Sequence, residues 1–170
     1  MDLTDVSYLD GVTETLRRLE EDGAFLVTRN RAGQRNVMTI GWGNVARIWG
    51  LPIFTVLVRP TRHTFSLIED SGEFAVCVPG PGELTDALAI CGSESGRNRD
   101  KFEQCGLSTA PGSALAVPLI ESCRWFYECR VVYKQAMDPR HLDGSIVDKY
   151  YPARDFHTVY HGQILASRAR

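Results

Sequence analysis

Apolar residues at Val12, Leu16 and Leu19 recur at helical spacing, so a helix with one apolar face is predicted there, with Gly23 placed as its C-cap. Beyond Gly23 the period changes. Ala24 to Thr28 is a short apolar run that reads as a strand, and Asn30-Arg31-Ala32-Gly33 reads as a turn. Val37 to Gly43, Ile53 to Val58 and Glu73 to Val78 are further runs rich in β-branched and aromatic residues, which suit a pleated, half-buried surface. Short helices are predicted between them. His63 to Asp70 is ended by Ser71-Gly72, Glu83 to Ile90 is stopped near Gly92, and Asn98 to Gln104 is stopped at Gly106. From Cys123 to Tyr133 the chain alternates. Cys123, Trp125, Tyr127, Cys129, Val131 and Tyr133 share one face, and Arg124, Phe126, Glu128, Arg130 and Val132 the other, more polar one. His157 to Ala166 is the last predicted strand.

Strands therefore dominate and helices are inserts. A doubly wound parallel sheet needs regular strand–helix alternation, which is missing. The pattern fits a mainly β, α+β chain built on a mostly antiparallel, closed or partly closed barrel. With 170 residues and no repeat or long linker, a single domain over 1–170 is expected.

Net charge is −2, which gives no overall basic field for nucleic acid, so any bound anion needs a local cluster. No apolar run is long enough for a membrane span, and Met1 to Asp10 carries acidic residues and no basic ones, unlike a secretory signal. Cys77, Cys91, Cys105, Cys123 and Cys129 are odd in number and never spaced C-x-x-C. That argues against a zinc site or a disulfide framework and for reduced, packed thiols in the cytosol.

Gly41-Trp42-Gly43-Asn44-Val45-Ala46 matches the dinucleotide fingerprint in letters only. Its mechanism needs a helix to start at the glycines, and Gly50 and Pro52 interrupt the chain too soon. Two basic clusters carry more. Arg59-Pro60-Thr61-Arg62-His63-Thr64 leaves a strand and starts a helix. There free N–H groups, hydroxyls and guanidinium groups can hold a phosphate; the plainer reading is a solvated helix start capped by Thr61 or Thr64. Ser93 to Phe102 holds Ser95, Gly96 and Lys101 in a similar setting, and a polar surface loop is its plainer reading.

A set of segments resembles the flavin reductase-like, flavoredoxin-type family of FMN-binding split β-barrels. They are Asn36 to Trp42, the run from Pro52 through Val56-Leu57-Val58-Arg59 to Thr64, Ser71 to Val78, Ser95-Gly96 through Asp100-Lys101-Phe102 with Gly106-Leu107, and His157 to Ile164. They occur in family order over about Gly23 to Ala166. The resemblance implies FMN as cofactor, NADH or NADPH as electron donor, and a homodimer. By position, Met38, Thr39, Ile40, Gly41 and Trp42 would meet the flavin ring. Arg59, Arg62, His63 and Thr64 would hold phosphate and ribitol, with Ser95, Gly96 and Lys101 closing on the phosphate. His157 would stand beside the flavin as the catalytic position; an ordinary hydrogen-bonded strand histidine is the alternative, and His161 reads as one.

Two departures bear on the nicotinamide side. The chain reads Asp155-Phe156-His157 where many members read G-D-H, and Gln163 replaces the acid of the closing strand. The resemblance implies an oxidoreductase whose chemistry belongs to the flavin. Its rival is a non-catalytic FMN electron carrier that docks a redox protein partner. The strand around Trp125, Phe126 and Tyr127 is the expected dimer surface.

Overall fold

The computed structural model describes residues 2–170; Met1, the first residue of the domain expected over 1–170, lies outside them. In chain order the elements are β1 (Thr4–Asp5), α1 (Val12–Glu20), β2 (Ala24–Arg29), β3 (Arg35–Ile40), β4 (Gly43–Ile48), β5 (Leu51–Val58), α2 (His63–Ser71) and β6 (Glu73–Val78). They continue with α3 (Thr85–Ser93), α4 (Lys101–Gln104), β7 (Thr109–Ala110), β8 (Leu119–Ile120), β9 (Trp125–Ala136), α5 (Gly144–Tyr150) and β10 (Thr158–Ala169), with a 3-10 turn at Pro139–His141 before α5.

The main sheet runs β3-β2-β6-β9-β10-β5-β4, with β1 on β10, and the pairings are antiparallel. Its two edges, β3 and β4, follow each other in sequence with only Gly41 and Trp42 between them. The sheet must therefore curl until its edges approach, and they stay unpaired: a split barrel. The mainly β expectation holds.

Alternation places two cores. Leu26, Phe54, Val56, Val76, Tyr127 and Tyr160 fill the barrel interior. Phe25, Val27, Ala75, Cys77 and Phe126 point the other way, under a layer from α3, α4 and the 107–123 segment that includes Leu88, Cys91, Phe102 and Leu119. β2 and β6 are buried on both faces, which is why their sequences are continuous apolar runs.

Several expectations shift. Leu16 is exposed, and Thr15 and Arg18 turn inward with Leu19; Thr15 bonds the Tyr127 hydroxyl at 3.1 Å and Arg18 is ringed by Glu14 and Glu21. α3 starts later than Glu83 and runs through Gly92. α4 begins at Lys101, because Asp100 caps the N–H groups of Phe102 and Glu103. β3 ends at Ile40, and β4 was not foreseen. The residues read as breakers make its hairpin: Trp49 and Gly50 both take positive φ, the two-residue turn that matches strand twist, and Pro52 lies past the reach of β10. Gly41 and Gly43 thus lead into a strand, with no helix for a dinucleotide.

Phe126 and Tyr127 are fully buried, so the expected dimer surface around Trp125 is not available; only Trp125 is partly open. The supposedly polar face of β9 is buried at Glu128. Burial pushes the Cys77 and Cys91 thiols up to about 12 and Cys129 well above its ordinary value, so these are packing residues. The cysteines are free thiols. Among the described residues no helix is long and apolar enough to cross a membrane, and no cluster of His, Cys, Asp and Glu is built to hold a metal.

Candidate functional site

Two adjoining cavities open along β3. The larger, about 410 Å³, lies between β3, the β5–α2 turn and the α3–α4 loop. The smaller, about 150 Å³, is a slot between the β3–β4 link and the segment before β10. Met38, Arg59 and Arg62 line both. The structure brings every residue singled out in the sequence to one cavity or the other. Met38, Thr39, Ile40, Gly41, Trp42 and His157 line the slot. His63, Thr64, Ser95, Gly96 and Lys101 line the larger cavity.

The larger cavity gathers unpaired backbone donors and basic side chains. Arg62 stands in extended backbone just before α2, and no side chain caps that helix. The capping expected of Thr61 or Thr64 is absent: Thr64 is buried and its hydroxyl accepts from Asn36 Nδ2 at 2.8 Å. The N–H groups of His63 and Thr64 are left without partners among the described residues, as are those of Ser95 and Gly96 on the facing loop. Such orphan donors at a helix start attract a bound anion. Gly96 is required for the close approach, because a Cβ there would sit 1.9 Å from Asn36 Oδ1. The loop is tied down by Arg97, which donates to the Thr61 carbonyl at 2.9 Å.

The cations are not equivalent. Lys101 is buried and donates to the carbonyls of Cys91 and Glu94, each at 3.1 Å, and burial lowers its pKa. It ties the end of α3 to the loop that follows while still lining the larger cavity. Arg59 pairs with Asp155 and donates to the Tyr150 carbonyl at 3.0 Å, so it fastens the 150–155 segment over the cavities. Arg62 has no carboxylate partner among the described residues and, with Arg97, is the uncompensated positive charge of the cavity. His63 is held neutral by burial and by nearby Arg97 and Lys101, which lower its pKa.

The slot is walled by Met38 to Trp42 and Leu57, with Arg59, Arg62 and His157 completing its lining. Trp42 meets Tyr150 edge-on at 5.1 Å and His157 at 5.3 Å. His157 is nearly buried and shares a 2.8 Å hydrogen bond with the Tyr151 hydroxyl through Nδ1. Burial first, then Arg59 and Arg62, lower its pKa to about 4, so the ring is uncharged at neutral pH. It is both hydrogen-bonded into the fold and turned to the slot. His161 bonds Thr55 at 2.8 Å and stacks on Tyr133, the ordinary strand histidine expected.

Asn36, Thr61, Arg97 and Asp155 also line the larger cavity and were not singled out. Asn36 and Arg97 lie inside the segments that carry the resemblance, so position was the available signal. Asp155 was noted only as part of the departure before His157; its pairing with Arg59, far away in sequence, is visible only in the fold.

The arrangement offers a small slot joined to a cavity rich in unpaired donors, and the residues that line both, Met38, Arg59 and Arg62, include no nucleophile. The flavin reductase like domain model matches residues 16–168. The uncharacterized protein YddH of Escherichia coli (strain K12) is 29% identical over 145 residues, 82% of this chain and 76% of its own. Among solved structures, an FMN-binding domain of a flavin reductases-like enzyme from Shewanella baltica OS155 superposes with a TM-score of 0.68 at 20% identity, over 99% of this chain and 77% of that one. Flavoredoxin of Desulfovibrio vulgaris (Miyazaki F) gives 0.68 at 19% identity, over 87% and 69%. This chain, a split barrel with its cavities along β3, belongs to the flavin reductase like domain family.

Proposed function

We propose that the protein is an FMN-dependent oxidoreductase that takes electrons from NADH or NADPH. The observation that carries this reading is the joined pair of cavities: orphan N–H groups of His63, Thr64, Ser95 and Gly96 with Arg62 at one end, and the Met38–Trp42 wall at the other. The residues fit the group. A phosphate would complete the unpaired donors, and an isoalloxazine would lie along Met38 to Trp42. When bound, the flavin would supply hydride acceptance at N5 and release of one or two electrons. The protein's own residues bind and orient it. Arg59 holds the 150–155 segment in place by its Asp155 pair, and Trp42 and Tyr150 narrow the slot's mouth. His157, neutral and fixed by Tyr151, presents a ring at the slot for a nicotinamide to pack on.

The carrier reading is favoured by one observation, the exposure of Trp42 and Tyr150 at that mouth, an apolar rim that a redox protein would cover. Stopped-flow bleaching of the flavin band separates the two: rapid bleaching by either nicotinamide supports the enzyme, and bleaching only through a reduced partner protein supports the carrier. A homodimer in the cytosol completes the reading. The face we propose for it is the exposed Trp49–Tyr133 pair, whose rings lie 6.0 Å apart, and sedimentation heavier than the 19.0 kDa chain is the expected result.

Phosphate recognition is tested by titrating FMN and riboflavin. Arg62→Ala removes a charge-assisted bond worth about 1.5–3 kcal/mol and should weaken FMN about tenfold or more while leaving riboflavin nearly unchanged. Arg59→Ala should weaken both ligands, since it frees the 150–155 segment beside the slot. Equal losses for both ligands in Arg62→Ala would remove the phosphate assignment.

A further inference from the structure

Arg59 lines both cavities and already carries a negative partner from within the chain. Its guanidinium makes three ties to the segment before β10. It donates to the carbonyls of Tyr150 at 3.0 Å and Asp155 at 3.3 Å, and it pairs with the Asp155 carboxylate. The segment is held besides by Tyr151, which is buried, with its ring centre 5.2 Å from the guanidinium carbon and its hydroxyl on His157. Fastening therefore has several supports that do not involve the carboxylate.

The carboxylate is an acid set among donors and cations. Two acids line the larger cavity, Glu94 and Asp155. The Glu94 carboxylate turns to Arg99 at 3.5 Å and to Gln104 at 3.1 Å, away from that lining. Asp155 turns to Arg59, a cation of the lining itself. The backbone is bent to put it there. Arg154, the residue before it, has φ 60, a left-handed conformation that is costly for any residue with a side chain, and its N–H closes a turn on the Tyr151 carbonyl at 2.9 Å. Strain of this kind persists only where the surrounding structure enforces it, and it clusters at ligand clamps. Arg59 holds the Asp155 carboxyl below its ordinary pKa, so it is charged at neutral pH. A second anion brought to the same guanidinium meets a like charge.

We propose that Asp155 competes with the phosphate of a bound ligand for Arg59, weakening the grip on phosphate-bearing ligands and speeding their release. The identity of that ligand as FMN rests on the flavin reading above. A phosphate that reaches Arg59 displaces the carboxylate, while the carbonyls of Tyr150 and Asp155 keep the segment in place.

The test is binding of FMN and riboflavin to flavin-free protein, read by fluorescence quenching at equilibrium and as release rates by stopped flow. Wild type is compared with Asp155→Asn and Asp155→Ala. An ion pair as exposed as this one adds little stability, so both variants should fold. Each should bind FMN about tenfold tighter than wild type, mainly through slower release, with riboflavin unchanged. Weaker binding of both flavins, the result expected of Arg59→Ala, would mean that the carboxylate only fastens the segment, and it overturns the proposal. FMN affinity unchanged in both variants overturns it too and leaves the flavin reading standing. Inorganic phosphate is the third probe, and it should raise the melting temperature of Asp155→Asn more than that of wild type. If neither flavin binds and phosphate shows this difference, the flavin reading falls and the competition stands. If neither flavin binds and phosphate acts equally on both proteins, both fall.

Discussion

Glu128→Ala is expected to lower the stability of the fold by roughly 3–5 kcal/mol, the range for removing one partner of a buried charge pair. Glu128 is 1% exposed, and its side chain runs from β9 to the loop before β8. Its carboxylate accepts from the N–H groups of Ser113, Ala114 and Leu115, each at 2.9 Å, from the Ser113 hydroxyl at 3.0 Å, and from Arg168 of β10 at 2.8 Å. Gly112 leaves room for it, since a Cβ there would stand 2.5 Å from Oε2. Truncation strands a nearly buried guanidinium and three donors at once. Glu128→Gln should be harmful too, because its NH₂ group would face donors. Total stabilities are about 5–15 kcal/mol, so the alanine variant should show a large drop in urea midpoint or be largely unfolded. A midpoint equal to that of the wild type would show that the loop is held by something else.

The same group sets an acid limit. Burial pushes the Glu128 carboxyl up, but the N–H bonds from Ser113, Ala114 and Leu115 together outweigh it, and the net shift is downward from 4.5. A carboxyl with a depressed folded pKa adds stability that is complete above its unfolded pKa and is lost as pH falls through the folded one. His157 acts earlier. Its folded pKa of about 4 lies below 6.5, so the unfolded chain takes up the proton first and stability declines as pH falls from 6.5 toward 4. Wild-type melting temperature should therefore fall in two ranges on acidification, and only the lower one should be blunted in a Glu128 variant that still folds.

The sequence was most legible where one physical signal acted alone. The runs Ala24–Thr28 and Glu73–Val78 are buried on both faces, and apolarity sufficed to find them. α2 was framed correctly because Gly72 stops it in a left-handed conformation that few residues adopt. β4 was hidden because its residues alternate weakly at an open sheet edge and its hairpin turn is made by Trp49 and Gly50, a pair outside the usual turn vocabulary. α5 was missed for a similar reason, since none of its residues is buried and no apolar stripe marks it. Glu128 was placed on the more polar face of its strand, and its burial was not foreseen, because alternation says which face a residue takes, not whether a later loop covers that face. For the candidate site, position within the resembling segments marked residues that the fold gathers at two adjoining cavities. It could not divide the labour among them. Only the fold reveals that Lys101 closes α3, that Arg59 holds Asp155, and that Arg62 and Arg97 remain uncompensated.

Gly96→Ala should have the largest effect on flavin binding and a small one on stability. The added methyl would lie 1.9 Å from Asn36 Oδ1 and 2.9 Å from its Cγ. Asn36 cannot simply turn away: it is buried and its Nδ2 is bonded to the Thr64 hydroxyl at 2.8 Å. The strain therefore passes to the 93–100 loop, which is partly exposed and held to the helix start by the Arg97–Thr61 bond. When the loop moves back, the donors of Ser95 and Gly96 part from those of His63 and Thr64, and the cradle no longer closes on one anion. Losing two charge-assisted bonds at about 1.5–3 kcal/mol each predicts FMN weakened about a hundredfold or more. Riboflavin, which has no phosphate, should weaken far less, and the melting temperature of the unliganded protein should barely move. Asn36→Ala in the same chain removes the clash. If close packing of Gly96 on Asn36 is what shapes the cradle, the double variant should bind FMN more tightly than Gly96→Ala alone, even though Thr64 has lost its partner. A double variant no better than the single one would mean that Gly96 is needed for its backbone conformation and not for the space its missing side chain leaves.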